Sequence, residues 1–204
     1  VGFGWENKTY ANKGDGVTKD AKEIFEKAGA LLKGHFLLTS GLHSPVYWEK
    51  FKVLQSPPHT EQLCRMIADH FREQKIDVVA APTTGGIIMA FETARQLGVR
   101  GIFAEKTGEK ERAFKRSFNI ERGERVLIVD DIFTTGGSLR QTIEAVKKLG
   151  GNIVSIGVLV DRSIEETDFG VPLFSCLRAE AVTYSPDDCP LCKEGIPLVK
   201  PGGG

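Results

Sequence analysis

Cysteine is scarce in this chain: Cys64, Cys176, Cys189 and Cys192 are the only four in 204 residues. They are too few and too unevenly spread for a disulfide scaffold. Net charge is missing too, since 27 Lys plus Arg balance 27 Asp plus Glu. A neutral chain gives no support to a nucleic-acid-binding or membrane-surface protein. No apolar run approaches the roughly 20 residues a membrane span needs, and the first residues lack the basic-then-apolar layout of a secretory signal. The expectation is a cytoplasmic protein with neither nucleic acid nor membrane as a partner. What remains is ordinary for a globular chain, 41% hydrophobic and 26% charged, and long enough for one domain with a substantial core rather than two.

The most informative stretch is Val126-Leu127-Ile128-Val129-Asp130-Asp131-Ile132-Phe133-Thr134-Thr135-Gly136-Gly137-Ser138. Four β-prone apolar residues in a row read as a strand buried on both faces, and two carboxylates follow where that strand is expected to end. The small residues Thr134 to Ser138 lead into Leu139 to Val146, which has helical spacing. A strand, a small-residue turn and a helix N-terminus make a phosphate site, because glycine lets backbone N–H groups approach an anion and the helix dipole favours negative charge there. The acidic pair cannot hold that phosphate, so it must face hydroxyls, a metal or a developing cation on the same ligand. No Gly-Lys-Ser/Thr follows the glycines, which excludes a Walker loop. The arrangement recurs upstream, where the strand Ile76 to Pro82 leads through Thr83-Thr84-Gly85-Gly86 into the helix Ile87 to Leu97. The sheet therefore has two anion-facing strand ends.

Residues 126 to 138 resemble the phosphoribosyl pyrophosphate (PRPP) signature of the type I phosphoribosyltransferases. The resemblance implies that Asp130 and Asp131 hold the ribose hydroxyls, that Thr134, Thr135, Gly136, Gly137 and Ser138 cradle the 5-phosphate, and that Thr83, Thr84, Gly85 and Gly86 meet the pyrophosphate. The segment from His35 to Phe51 has two β-prone runs around a Ser-Gly turn, which predicts a hairpin or hood. With Ser44-Pro45 and the aromatic pair Tyr47-Trp48, it is similar to the N-terminal hood of orotate phosphoribosyltransferases, whose aromatic pair lines the base pocket. Val160-Asp161-Arg162 at a strand end matches the position whose arginine pairs with the orotate carboxylate, a task suited to a planar guanidinium fork. Thr134 adjoins that pocket.

Two positions depart from the pattern. Thr39 stands where many orotate enzymes carry Lys or Arg, and Thr84-Gly85 stands where some have Tyr-Lys. His43 is a candidate replacement donor, though a lone histidine is more often structural. The run from Glu105 to Ser117 is dense in charge and reads as a solvated loop. By resemblance it is a mobile loop that closes over the partner subunit's site, with Lys106 and Lys110 as its catalytic cations and Arg112, Lys115 and Arg116 as rivals to Lys110.

The rest of the chain frames these motifs. Residues 1–17 read as a loose extension, residues 18–185 as the phosphoribosyltransferase domain and residues 186–204 as a tail. A helix is expected from Thr18 through Leu32, ended by Gly34, and another from Pro57 to Lys75. In the tail, Cys189 and Cys192 form one Cys-x-x-Cys, half of a tetrahedral zinc set, so reduced thiols are the first reading and zinc the second. The fold expected is α/β, a mostly parallel central sheet with helices on both faces plus a small N-terminal hood. The resemblance implies transfer of phosphoribosyl from PRPP to orotate, with Mg²⁺ carried on PRPP and a homodimer sharing its sites. Two alternatives stay open: the same chemistry on a purine or uracil, or a non-catalytic PRPP sensor.

Overall fold

The structure, a computed structural model, describes residues 14–38, 40–163, 167–179 and 182–201. In chain order the elements are α1 (Gly14–Lys27), β1 (Leu31–Leu37), β2 (His43–Trp48), α2 (Lys50–Leu54), α3 (Pro57–Phe71), β3 (Val78–Pro82), α4 (Gly85–Leu97), β4 (Arg100–Lys106), β5 (Arg112–Phe114), β6 (Arg125–Phe133), α5 (Gly137–Lys148), β7 (Asn152–Asp161), β8 (Leu173–Arg178) and the short tail helix α6 (Pro190–Lys193). Six strands form one sheet in the order β5-β4-β3-β6-β7-β8, and only β5 runs antiparallel to its neighbour.

The apolar runs are continuous because both faces of this sheet are covered. Side chains alternate along a strand, so Val78, Ala80, Val126 and Ile128 enter one core with Leu139, Ile143 and Val146 of α5. Their neighbours Val79, Ala81, Leu127 and Val129 enter the other, with Phe25 of α1, Leu54 of α2, Leu63 and Ile67 of α3 and Met89 of α4. Burying such a side chain contributes about 1.5–3 kcal/mol, which makes the central strands the firmest part of the molecule.

The two phosphate-loop candidates meet because of strand order. β3 and β6 are parallel neighbours, but the chain leaves β3 through α4 toward β4 on one side and leaves β6 through α5 toward β7 on the other. The loops diverge above the carboxyl ends of these strands and leave a crevice at the point where the order reverses, where α/β sheets bind ligands.

Three local expectations need correction. The first helix begins at Gly14, ahead of Thr18, and ends before Leu31. Gly29 at φ +60° turns the chain, and Leu31 and Leu32 pair with Trp48 and Tyr47 in the hairpin instead of extending the helix. Asp130 and Asp131 lie inside β6, which continues to Phe133, because β7 goes on pairing with it as far as Asp161. The charged run after Lys106 is not wholly a solvated loop either: Arg112 to Phe114 fold back as β5 against β4. The hairpin expected at residues 35 to 51 is present, with β1 and β2 forming a separate two-stranded sheet. No helix among the described residues is long and apolar enough to cross a membrane.

Candidate active site

Asp130 and Asp131 are both buried, although carboxylates rarely are unless paired. They solve this differently. Asp130 accepts 2.7 Å from the Ser138 hydroxyl and 2.9 Å from the Asp131 N–H, so the acid and the phosphate loop are tied together. Burial, and secondarily the neighbouring Asp131, pushes its carboxyl up to about 7, against the pull of those hydrogen bonds and of Lys50. Asp131 accepts 2.6 Å from the Ile132 N–H and meets Lys50 Nζ at 2.8 Å.

Lys50 is the residue that sequence reasoning passed over. It opens α2, directly after the hood strand β2, and ties the hood to the acid pair. Its proximity to Tyr47 and Trp48 was the available signal. Gly85 is fixed by the same carboxylate, since a Cβ there would collide with Asp131 Oδ2 and lie 3.1 Å from Leu54 Cδ1. A side chain at position 85 would require the Asp131 carboxylate to leave Lys50. Thr83 is half-buried, Thr84 exposed, and Gly85 and Gly86 open α4.

Arg112 closes the pyrophosphate side. It is buried and donates from Nη1 to Thr83 Oγ1 at 3.1 Å and to the Ala104 carbonyl at 3.2 Å. Burial lowers its pKa, and nearby Asp130 opposes that shift. Its Nε, fully buried, has no hydrogen-bond partner among the described residues. One of the rival loop cations is therefore built into the sheet edge, facing the acid pair. Lys106 and Lys110 are exposed, and neither forms an ion pair among the described residues.

On the phosphate side, Thr134 and Thr135 are exposed, Gly136 adopts φ +76° as the residue before α5, and Gly137 and Ser138 begin that helix. A Cβ on Gly136 would press on the Phe169 ring at 2.9 Å, so only glycine suits both its backbone and its surroundings.

Tyr47 and Arg162, the residues expected to meet the base, stand beside Lys50. Burial first, then Glu49, raises the Tyr47 pKa, while Lys50 and Arg162 lower it, which places both cations near the phenol. Arg162 is buried, its pKa is lowered by that burial, and its Nε lacks a hydrogen-bond partner among the described residues. The neighbouring carboxylate of Asp161 is engaged instead by the N–H and hydroxyl of Ser163, at 2.8 and 2.6 Å. Glu165 and Thr39 lie outside the described residues. The strand's alternation sends Trp48 the opposite way from Tyr47, into the core, where it meets Phe25 edge-on with ring centroids 5.2 Å apart. His43 is not brought to the site either; it is buried against His35, beside Cys189 and Cys192.

A phosphate-loop helix, a buried acid pair bridged to it and a second anion loop across a switch point define the site of a type I phosphoribosyltransferase. The comparisons agree. Residues 52–169 match the phosphoribosyl transferase domain family. The orotate phosphoribosyltransferase of Pelotomaculum thermopropionicum is 54% identical over 179 residues, covering 88% of this chain and 94% of that one. The enzyme of the same name from Caldanaerobacter subterraneus subsp. tengcongensis is 51% identical over 180 residues, with the same coverage of 88% and 94%. The crystal structure of orotate phosphoribosyltransferase from Aeropyrum pernix superposes with a TM-score of 0.66 at 27% identity, over 78% of this chain and 92% of that one. The chain belongs to the orotate phosphoribosyltransferase family.

Proposed function

We propose that this site transfers the phosphoribosyl group of PRPP to orotate, giving orotidine 5′-monophosphate and pyrophosphate in pyrimidine biosynthesis. The observation that carries the base assignment is Arg162, a buried guanidinium near Tyr47 whose Nε has no partner among the described residues. A planar carboxylate on the base satisfies that fork, which uracil or a purine cannot do.

The phosphate of PRPP sits on the N–H groups opening α5, with Thr134 and Thr135 donating hydroxyls while the Ser138 hydroxyl stays on Asp130. Asp130 and Asp131 take the ribose hydroxyls, and Lys50 exchanges its contact with Asp131 for an anionic oxygen of the ligand. The ring nitrogen of orotate forms its bond to the anomeric carbon as the bond to pyrophosphate breaks and the electron pair leaves with pyrophosphate. Positive charge builds on the ribose at that moment, and a fixed carboxylate beneath it stabilises the transition state more than the ground state. Thr83 to Gly86 and Arg112 hold the departing pyrophosphate, and Lys106 and Lys110 cover it, excluding water from the activated sugar. Mg²⁺ bound on PRPP would neutralise pyrophosphate charge, and the acid pair would offer hard oxygen donors suited to a cation that keeps much of its water. The protein works as a homodimer in which the 107–111 tip of one copy serves the site of the other.

The two halves of the site separate in kinetics. Arg162→Lys keeps the charge and loses the fork, so KM for orotate rises about 10–100-fold while KM for PRPP stays within about 2-fold. Equal losses for both substrates would contradict the assignment.

A further inference from the structure

The tail motif that the activity leaves unused meets two histidines of the hood. His35 Nε2 lies 2.9 Å from His43 Nδ1, 3.5 Å from Cys189 Sγ and 3.7 Å from Cys192 Sγ, and His43 Nδ1 lies 3.4 Å from Cys192 Sγ. All four ligand atoms fall within 4.8 Å of one another. A tetrahedral zinc with two nitrogens and two sulfurs has ligand edges of about 3.3 Å (N to N), 3.6 Å (N to S) and 3.8 Å (S to S). The three nitrogen–sulfur distances lie within about 0.2 Å of those edges, and the two nitrogens need to part by only about 0.4 Å to admit the ion. His35, His43 and Cys189 are buried, Cys192 is exposed, and neither cysteine is in a disulfide.

The surroundings also orient the donors. His35 Nδ1 lies 2.7 Å from the Ile196 carbonyl, which can only accept, so Nδ1 carries the proton and Nε2 presents a lone pair to the cluster. This is the outer-shell hydrogen bond that metal-bound histidines usually make. The strand register slips between Lys33 and Phe36, so consecutive residues His35 and Phe36 are both buried where strict alternation would expose one. The tail straddles the hairpin: Tyr184 exchanges 2.9 Å backbone hydrogen bonds with His43, and Val199 bonds to His35 O and Leu37 N at 2.8 and 2.9 Å.

We propose that His35, His43, Cys189 and Cys192 bind one structural Zn²⁺ that clamps the C-terminal tail onto the hood. Two thiolates and two imidazoles are a borderline-soft set suited to zinc rather than to Mg²⁺, and four protein ligands leave no open position for catalysis. The ion joins both strands of the hairpin to a segment nearly 150 residues further on, and so steadies the hood strand that carries Tyr47.

Full-length protein, made without a polyhistidine tag in zinc-supplemented medium, is expected to contain about one Zn²⁺ per chain by elemental analysis. Replacement by Co²⁺ should give the absorption of a tetrahedral ion with thiolate charge transfer. Cys192→Ser alters an exposed side chain and should lose most of the metal while remaining folded by circular dichroism. A chelator, added with Mg²⁺ in excess, should lower Tm of the original protein by on the order of 10 °C and leave that of Cys192→Ser unchanged. The proposal is overturned if reduced protein takes up neither Zn²⁺ nor Co²⁺, if the cobalt spectrum is octahedral, or if Cys192→Ser holds metal as the original does.

Discussion

Asp131 and the residues that crowd it concentrate the site's chemistry into a few atoms. Gly85→Ala would push its Cβ into Asp131 and break the contact with Lys50. KM for PRPP is expected to rise about 10-fold, corresponding to about 1.4 kcal/mol, with KM for orotate nearly unchanged in steady-state assays. Asp130 makes a prediction about stability. Its carboxyl is raised to about 7 in the folded protein, whereas in an unfolded chain it ionises near the ordinary aspartate value. Between those values the folded state binds a proton that the unfolded state has released, so this group's contribution to stability falls as pH rises from about 4 to about 7. Asp130→Asn should remove that decline, and thermal melts of both proteins from pH 5 to pH 8 measure it; parallel profiles would contradict the burial argument. At this scale the acid pair, the glycines and Arg162 were legible because each belongs to a short contiguous motif. Lys50 and His35 were not, since their partners lie 81 and 161 residues away.

Elements were read from their period, and the reading failed where burial has no apolar signature. The run 107–116 contains Lys110, Arg112, Lys115 and Arg116, which makes it look wholly solvated, yet β5 pairs with β4 and Arg112 is buried by hydrogen bonding rather than by hydrophobicity. The hood was legible from Ser40-Gly41 between two β-prone runs, but its bulge and the two isolated backbone bridges the tail makes to it were not. The first helix was drawn too long because Leu31 and Leu32 continue its apolar stripe, and only the left-handed turn at Gly29 separates stripe from strand. The hairpin between β4 and β5 can be tested as an element. Replacing residues 107–111 with a two-residue Asn-Gly turn keeps the pairing of Lys106 with Arg112 and removes Lys110. Its one ion pair across to α5, Glu111 with Lys148, is exposed and contributes little. Tm should stay within about 2 °C while kcat falls about 100-fold. A matching loss of stability would mean that the tip is structural.

For the molecule as a whole, one sheet places two anion loops side by side, and α2 and the hood complete the site from an early part of the chain. The doubly covered sheet was legible in the unbroken apolar strands. The arrangement of copies that we propose was not, because the exposed Lys106 and Lys110 have nothing facing them within one chain among the described residues. Mixing inactive Lys110→Ala with inactive Asp131→Asn should restore turnover, since a mixed dimer holds one site with both residues intact; no recovery would place the tip over its own chain's site. The central claim is that the buried fork of Arg162 selects a base with a carboxylate. It is tested by following pyrophosphate release from PRPP and Mg²⁺ with orotate, uracil, adenine and hypoxanthine in turn. Release with orotate and none above background with the other three is the predicted result. Release with a purine or uracil but not with orotate, or with none of the four, would contradict it.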